Sequence, residues 1–177
     1  MSEPTYRLAA LDSTFDLARF DCGESAYNTW LTDTALRANE SGSSAVYVLL
    51  EQAGHEREQV VGYFAICPTT VVRDAMPKPL QRGMLRATPG WLLAKLAINR
   101  SLREQRRGWG RHLLREALEV IVDAAERGGG AVIVVDADNE GLISFYERNG
   151  FVSTGAGNLR MFLKLATARA YLRPSDR

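Results

Sequence analysis

Gln105-Arg106-Arg107-Gly108-Trp109-Gly110 stands between an apolar run, Trp91 to Ile98, and the most regular helical pattern in the chain. That pattern is Leu113, Leu114, Ala117, Leu118, Ile121, Val122 and Ala125, an unbroken stripe at helical spacing that Gly128-Gly129-Gly130 ends. A turn between a strand and a helix N-terminus aims successive backbone N–H groups and the positive end of the helix dipole at one point, where an anion is stabilised. Gly108 and Gly110 bring no Cβ, so the backbone can come close to a ligand. Arg106, Arg107 and Arg111 add positive charge. The spacing excludes a Rossmann G-x-G-x-x-G, because no third glycine follows, and a P-loop, because no Lys-Ser/Thr follows. Taken alone, the six residues also suit a plain glycine-bearing helix start on a basic surface.

Outward from this stretch the chain reads as strands and helices in alternation. Downstream, Ala131 to Val135 is a short apolar strand, Leu142, Phe145 and Tyr146 share one face of a short helix closed by Gly150, and Phe151-Val152 and Arg160 to Leu165 supply two final strands. Upstream, Tyr6 to Ala10 forms a first strand. Asp21 and Glu24 have capping-box spacing before a helix from Glu24 to Asn39. Ala45 to Glu51 and Val60 to Cys67 are apolar and β-branched, an antiparallel pair. Residues 68–90 form a long connection with a turn or short helix near Leu80 to Leu85, and Trp91 to Ile98 reads as a buried strand. The order predicts an α/β fold, a mixed central sheet with helices on both faces, in one domain spanning residues 1–177.

Composition narrows the function classes. With 46% hydrophobic and 24% charged residues the chain can bury one sizeable core, and no run approaches the roughly 18 apolar residues of a membrane span. Its start is acidic and polar, so no signal peptide is expected and the predicted location is the cytoplasm. Cys22, Cys67, His55 and His112 match no metal-ligand spacing, and no metal is expected. Asp136, Asp138, Glu140, Gly141 and Glu147 come near a calcium-loop pattern, but they follow a strand where that loop requires a helix. The net charge of +1 hides an asymmetry: residues 1–66 carry 4 Lys/Arg against 10 Asp/Glu, and residues 67–130 carry 12 against 6. The basic middle can meet phosphates on a cofactor or a nucleic acid, or simply solvate a surface.

Gln105, Gly108 and Gly110 occupy the positions of the Q/R-x-x-G-x-G/A loop of the GNAT acetyltransferases, which the chain resembles from about Leu92 to Leu165. Asn139-Glu140-Gly141-Leu142-Ile143-Ser144-Phe145-Tyr146, followed by Glu147-Arg148-Asn149-Gly150-Phe151, is similar to that family's N-x-x-A-x-x-x-Y-x-x-x-G-F segment, with Leu142 where a small residue is usual. The resemblance implies a sheet splayed between its fourth and fifth strands and acetyl-CoA as co-substrate. It implies that residues 105–111, Trp109 among them, take the pyrophosphate, that Leu96, Ala97 and Ile98 present free backbone groups to pantetheine and thioester, and that Asn139 lies beside the pantetheine arm. Tyr146 would be the catalytic residue. A phenol of pKa about 10 is a suitable donor to a thiolate of about 8.5. Without the motif, Tyr146 would be read as a packing aromatic.

The substrate reading comes from the other end of the chain. Phe20-Asp21-Cys22-Gly23 with Asn28-Thr29-Trp30-Leu31 resembles the F-D-C-G-x-x-x-x-N-x-W-L opening of the GNAT branch formed by toxins of bacterial toxin–antitoxin pairs. That resemblance implies acetylation of the α-amine of aminoacyl-tRNA and a ribbon-helix-helix antitoxin as partner; a homodimer is the further assembly considered, and the sequence itself fixes no oligomeric state. Arg73, Lys78, Arg82 and Arg86, with Lys95, Arg100 and Arg103, would extend a basic track for the tRNA. An arginine is usual where Lys95 stands, so charge is kept and bidentate geometry is lost. A GNAT enzyme of a small amine or a protein N-terminus, and a non-catalytic acyl-CoA-binding regulator, are the alternatives.

Overall fold

The computed structural model describes residues 3–155 and 157–174. Among the described residues seven strands make one sheet in the order β1-β2-β3-β4-β5-β7-β6: β1 is Thr5–Ala10, β2 Ala45–Gln52, β3 Gln59–Val72, β4 Ala87–Ile98, β5 Val132–Asp136, β6 Val152–Ser153 and β7 Arg160–Lys164. The helices are α1 (Ser25–Asp33), α2 (Ala35–Ser41), α3 (Lys78–Gln81), α4 (Arg100–Glu104), α5 (Trp109–Gly128), α6 (Ile143–Arg148) and α7 (Leu165–Leu172). Among the described residues no helix is long and apolar enough to cross a membrane.

The chain forms two compact units. The first holds the residues up to Ile66 and Lys95–Glu116. In it β1 and β2 pair antiparallel from Thr5↔Gln52 to Ala10↔Tyr47, and β2 pairs with β3 from Ala45↔Ile66, with a register shift at Leu49/Leu50. β2 keeps its period of two, with Val46, Val48 and Leu50 in one core cluster and Leu49 on the other face beside Gly62. Val48, Leu49 and Leu50 are all buried because both faces are covered; the extra residue, Val61, lies on β3. Leu31, Ala35, Val48 and Tyr63 anchor the core against which α1 and α2 pack. Gly62 leaves room there: a Cβ would lie 3.3 Å from Leu113 Cδ2 and 3.4 Å from the Ala97 carbonyl oxygen, tighter than most Cβ contacts.

The second unit holds Cys67–Ala94 and the chain from Ala117 onward. Its core gathers Val71, Met76, Val132, Val134 and Phe162, flanked by Leu80, Met84 and Leu92. β4 and β5 run parallel from Gly90↔Val132 to Leu93↔Val135, and β5 pairs antiparallel with β7. Gly90 permits that approach, since a Cβ would sit 2.5 Å from the Val132 carbonyl oxygen. β4 continues for five residues past its last partner on β5, the parting of the fourth and fifth strands that the resemblance implied.

Several expected boundaries move. The helix predicted over 24–39 is broken at Thr34 (φ −122°, ψ −37°), and its capping box does not form, because the Asp21 carboxylate accepts instead from Gly23 N–H and the Asn28 amide. The connection expected over 68–90 shrinks to residues 73–86, because β3 runs on to Val72 and β4 starts at Ala87. Polar Thr69 and Thr70 and the prolines hid both strand ends; Pro89 donates no N–H, and a strand tolerates it near its start. Of the strand expected to be buried over Trp91 to Ile98, only Leu93 is buried and the other residues are half-buried. α4 and α7 are helices the sequence reading missed; their apolar spacing is too short to show periodicity.

Candidate active site

The anion loop is built by two helix ends. Asn99 Oδ1 accepts the Ser101 N–H at 3.2 Å and so starts α4, which stops at Gln105. Gln105 lies in the right-handed region (φ −65°, ψ −19°), Arg106 is left-handed at φ 51° and Gly108 follows at φ 75°. A right-handed residue followed by a left-handed one turns consecutive N–H groups into a concavity for an anion. α5 begins at the next residue but one to Arg107, its dipole adding to the same charge. The space where a Gly108 Cβ would point is open, so glycine is needed there for its backbone angle. Arg106, Arg107 and Arg111 are exposed. These features fit the pyrophosphate of acetyl-CoA. Leu96, Ala97 and Ile98 belong to the same unit as the loop.

Tyr146 and Asn139 belong to the second unit. Asn139 is exposed and extended (φ −156°), and its carbonyl accepts the Leu142 N–H at 3.2 Å as the chain enters a 3-10 turn over Glu140–Leu142 ahead of α6. Tyr146 is only 5% exposed. Asn149 N–H at 3.0 Å and Phe151 N–H at 3.1 Å both donate to the Tyr146 carbonyl, and the rings of Phe145 and Phe151 meet the phenol edge-on at 5.1 and 5.5 Å. Asn149, itself buried, donates its amide to the Phe145 carbonyl at 2.7 Å, and Gly150 turns the chain at φ 91°. Backbone and ring contacts therefore hold Tyr146, and no hydrogen bond among the described residues engages its hydroxyl. Burial first, and the negative charge of Asp138 second, push its ionisation far above the ordinary phenol range. It stays protonated at any physiological pH.

The basic residues divide. Residues 73–86 are fastened down: Arg73 N–H donates to the Arg86 carbonyl at 3.0 Å, Thr88 Oγ1 to the Leu85 carbonyl at 2.7 Å and Gln81 Nε2 to the Met76 carbonyl at 2.9 Å. On this fixed segment Lys78, Arg82 and Arg86 are exposed, and Arg73 is partly neutralised by Asp74 at 3.3 Å. Lys95 lies in the other unit, its ammonium 5.2 Å from the Tyr27 ring centroid and 5.6 Å from that of Trp30. Arg103 donates to the Cys22 carbonyl at 2.7 Å, while Arg100 donates its N–H to the Asp21 carbonyl and reaches the Asp21 carboxylate at 3.5 Å. The Asn28 amide first, then Gly23 N–H and the two arginines, hold Asp21 below the usual carboxylate range. The Phe20–Leu31 signature thus ties α1 to α4, a role no local sequence signal discloses. Asp136 is held by Arg160 at 2.7 and 2.9 Å, and among the described residues no group of three or more His, Cys, Asp or Glu could hold a metal ion.

Comparison with known proteins gives consistent results. A model of the acetyltransferase (GNAT) family matches residues 11–151. A tRNA-acetylating toxin of Mycobacterium tuberculosis (strain ATCC 25618 / H37Rv) is 31% identical over 157 residues, 89% of this chain and 90% of that protein. The structure of AtaT complexed with acetyl-methionyl-tRNAfMet superposes with a TM-score of 0.83 at 32% identity, covering 96% of this chain and all of the other. A mutant AtaT toxin bound to the C-terminus of the antitoxin AtaR and acetyl-CoA gives 0.79 at 29% identity, with 96% and 99% covered.

Proposed function

The chain belongs to the GNAT family of acetyltransferases, and from that premise we propose that it moves acetyl from acetyl-CoA to the α-amine of aminoacyl-tRNA. It acts in the cytoplasm, where charged tRNA is found, as the translation-blocking toxin of a toxin–antitoxin pair. The observation that carries this reading is the likeness, over nearly the full length of both chains, to a tRNA-acetylating toxin. The fastened segment of residues 73–86, with Lys78, Arg82 and Arg86 exposed, supports it by offering fixed cations to a phosphate backbone. A ribbon-helix-helix antitoxin and a second copy of the chain are the proposed protein partners. Residues 1–177 act as one catalytic domain, which the passage of β3, β4 and α5 through both compact units supports.

Each residue has a stated task. Residues 105–111 hold the pyrophosphate through backbone N–H groups, with the arginines as counter-charge. Backbone groups of Leu96, Ala97 and Ile98 and the Asn139 side chain hold the pantetheine arm. Bound acetyl-CoA supplies the thioester that the amine attacks. Backbone N–H groups on the unpaired end of β4 stabilise the oxygen that gains charge. As the C–S bond breaks, Tyr146 gives its proton to the departing thiolate; the nitrogen of the new amide sheds its extra proton to water, and the phenolate, which burial disfavours, takes a proton back. An α-amine, with a pKa of about 7.7 to 8.0, is partly neutral at physiological pH and makes little demand for a general base.

The test incubates purified protein with labelled acetyl-CoA and bulk charged tRNA, with uncharged tRNA and free amines as controls. Label confined to charged tRNA is the expected result. Label on free amines and none on charged tRNA would transfer the chain to the small-amine enzymes.

A further inference from the structure

We propose that Tyr6, Trp109 and Gln105 form a clamp that pre-shapes the anion loop, making the first strand a positioning element for acetyl-CoA; this rests on the assignment of that loop to the pyrophosphate. Gln105 and Trp109 flank the turn, and the Trp109 indole N–H donates to Gln105 Oε1 at 3.3 Å, closing the loop from one side to the other. Between them lies Arg106 at φ 51°, a conformation an arginine keeps only where its surroundings hold it. The Tyr6 ring lies against the indole, centroids 4.2 Å apart at 50°, and His112 meets the indole edge-on at 5.3 Å.

Tyr6 is itself fixed. It stands directly opposite Glu51 in the β1/β2 register and donates its hydroxyl to Glu51 Oε1 at 2.6 Å. Burial first, then that hydrogen bond and charge, push the phenol up to about 12, so the clamp keeps its proton over the physiological range. Anion binding by a backbone concavity requires no particular side chain at position 109, because the N–H groups do the work. A tryptophan there, held on two sides by aromatic rings and tied to Gln105, serves the shape of the loop. Preorganisation of this kind improves affinity by reducing what must be ordered on binding.

Calorimetric titration of acetyl-CoA into the full chain tests the clamp. Tyr6→Leu should weaken binding by roughly two- to twelvefold, the worth of one aromatic pair expressed as a ratio, and Tyr6→Phe, which keeps the ring, should restore most of it. The loss should fall on KM for acetyl-CoA rather than on kcat. Tyr6→Leu added to Trp109→Leu should cost little more than Trp109→Leu alone, since the two rings act as a unit. Gln105→Leu, at an exposed position, supplies the same test should Tyr6→Leu not fold, and it too should weaken binding. Parental affinity in folded Tyr6→Leu or in Gln105→Leu, or additive losses in the double variant, would overturn the clamp. Gly110→Asp is titrated in parallel. If it abolishes binding while the clamp variants do not, the clamp alone fails; if it too keeps parental affinity, the loop is not the pyrophosphate site and both readings fall.

Discussion

At the scale of single residues, the role proposed for Tyr146 rests on a motif and on what surrounds the side chain. Sequence places a tyrosine on an amphipathic helix face, where packing is the commoner use. The structure adds burial, a neighbouring Asp138 and a hydroxyl engaged by no hydrogen bond among the described residues. Tyr146→Phe should therefore lower kcat by about 10² to 10⁴-fold, the usual worth of a general acid, with acetyl-CoA affinity nearly unchanged in calorimetry. The pH profile follows from the sign of the shift. Because the folded state binds the phenolic proton more tightly, stability from the neutral phenol is complete below the unfolded value of about 10 and is lost as pH rises through the folded one. Across pH 6 to 9.5 kcat/KM should thus rise as the substrate amine deprotonates and show no falling limb. A falling limb near pH 8 that disappears in Tyr146→Phe would mean that the phenol ionises there and is not shielded.

Secondary-structure elements set which charges are usable. A solvated loop and a binding platform look alike in sequence, since both are rich in Lys, Arg, Pro and Gly. Residues 73–86 are distinguished by the hydrogen bonds at their base and by Met76, Leu80 and Met84 beneath them. If Lys78, Arg82 and Arg86 meet phosphates, Arg82→Ala with Arg86→Ala should weaken use of charged tRNA and reduce the slope of log affinity against log salt by roughly 1.4 to 1.8. Acetyl-CoA affinity should hardly move, and an unchanged salt slope would remove both residues from the tRNA surface. The β4–β5 contact makes a second prediction. Gly90→Ala places a Cβ against the Val132 carbonyl, a clash with backbone that rigid neighbours cannot relieve, and should destabilise by about 1–3 kcal/mol in thermal or denaturant unfolding.

For the whole molecule, the proposed activity predicts growth arrest when the chain is produced without its antitoxin, and rescue by Tyr146→Phe; normal growth with soluble active protein would argue against the toxin role. The strand over 91–98, the long helix after Gly108 and the shared face of Leu142, Phe145 and Tyr146 were legible from sequence, because hydrophobic period, glycine position and helix-start chemistry are local properties. The antiparallel β2–β3 pair was legible for the same reason. α4, between that strand and the loop, was not, and Asn139 and the task of Tyr146 came only from the family resemblance. What lay outside that reach depends on residues far apart in the chain. Trp109 belongs with Tyr6, 103 positions away, and Arg103 with Cys22, 81 positions away, and no window of sequence contains either pair. Lys95 reads as a basic residue within the strand Trp91 to Ile98, and folding sets its ammonium near the rings of Tyr27 and Trp30. The sequence by itself determined where the backbone could turn and which faces had to be buried, since those follow from each residue's own sterics and transfer free energy. Only the tertiary structure decided which side chains are spent on one another and which are left for a ligand, because that choice is made by contacts between segments that meet only when the sheet assembles.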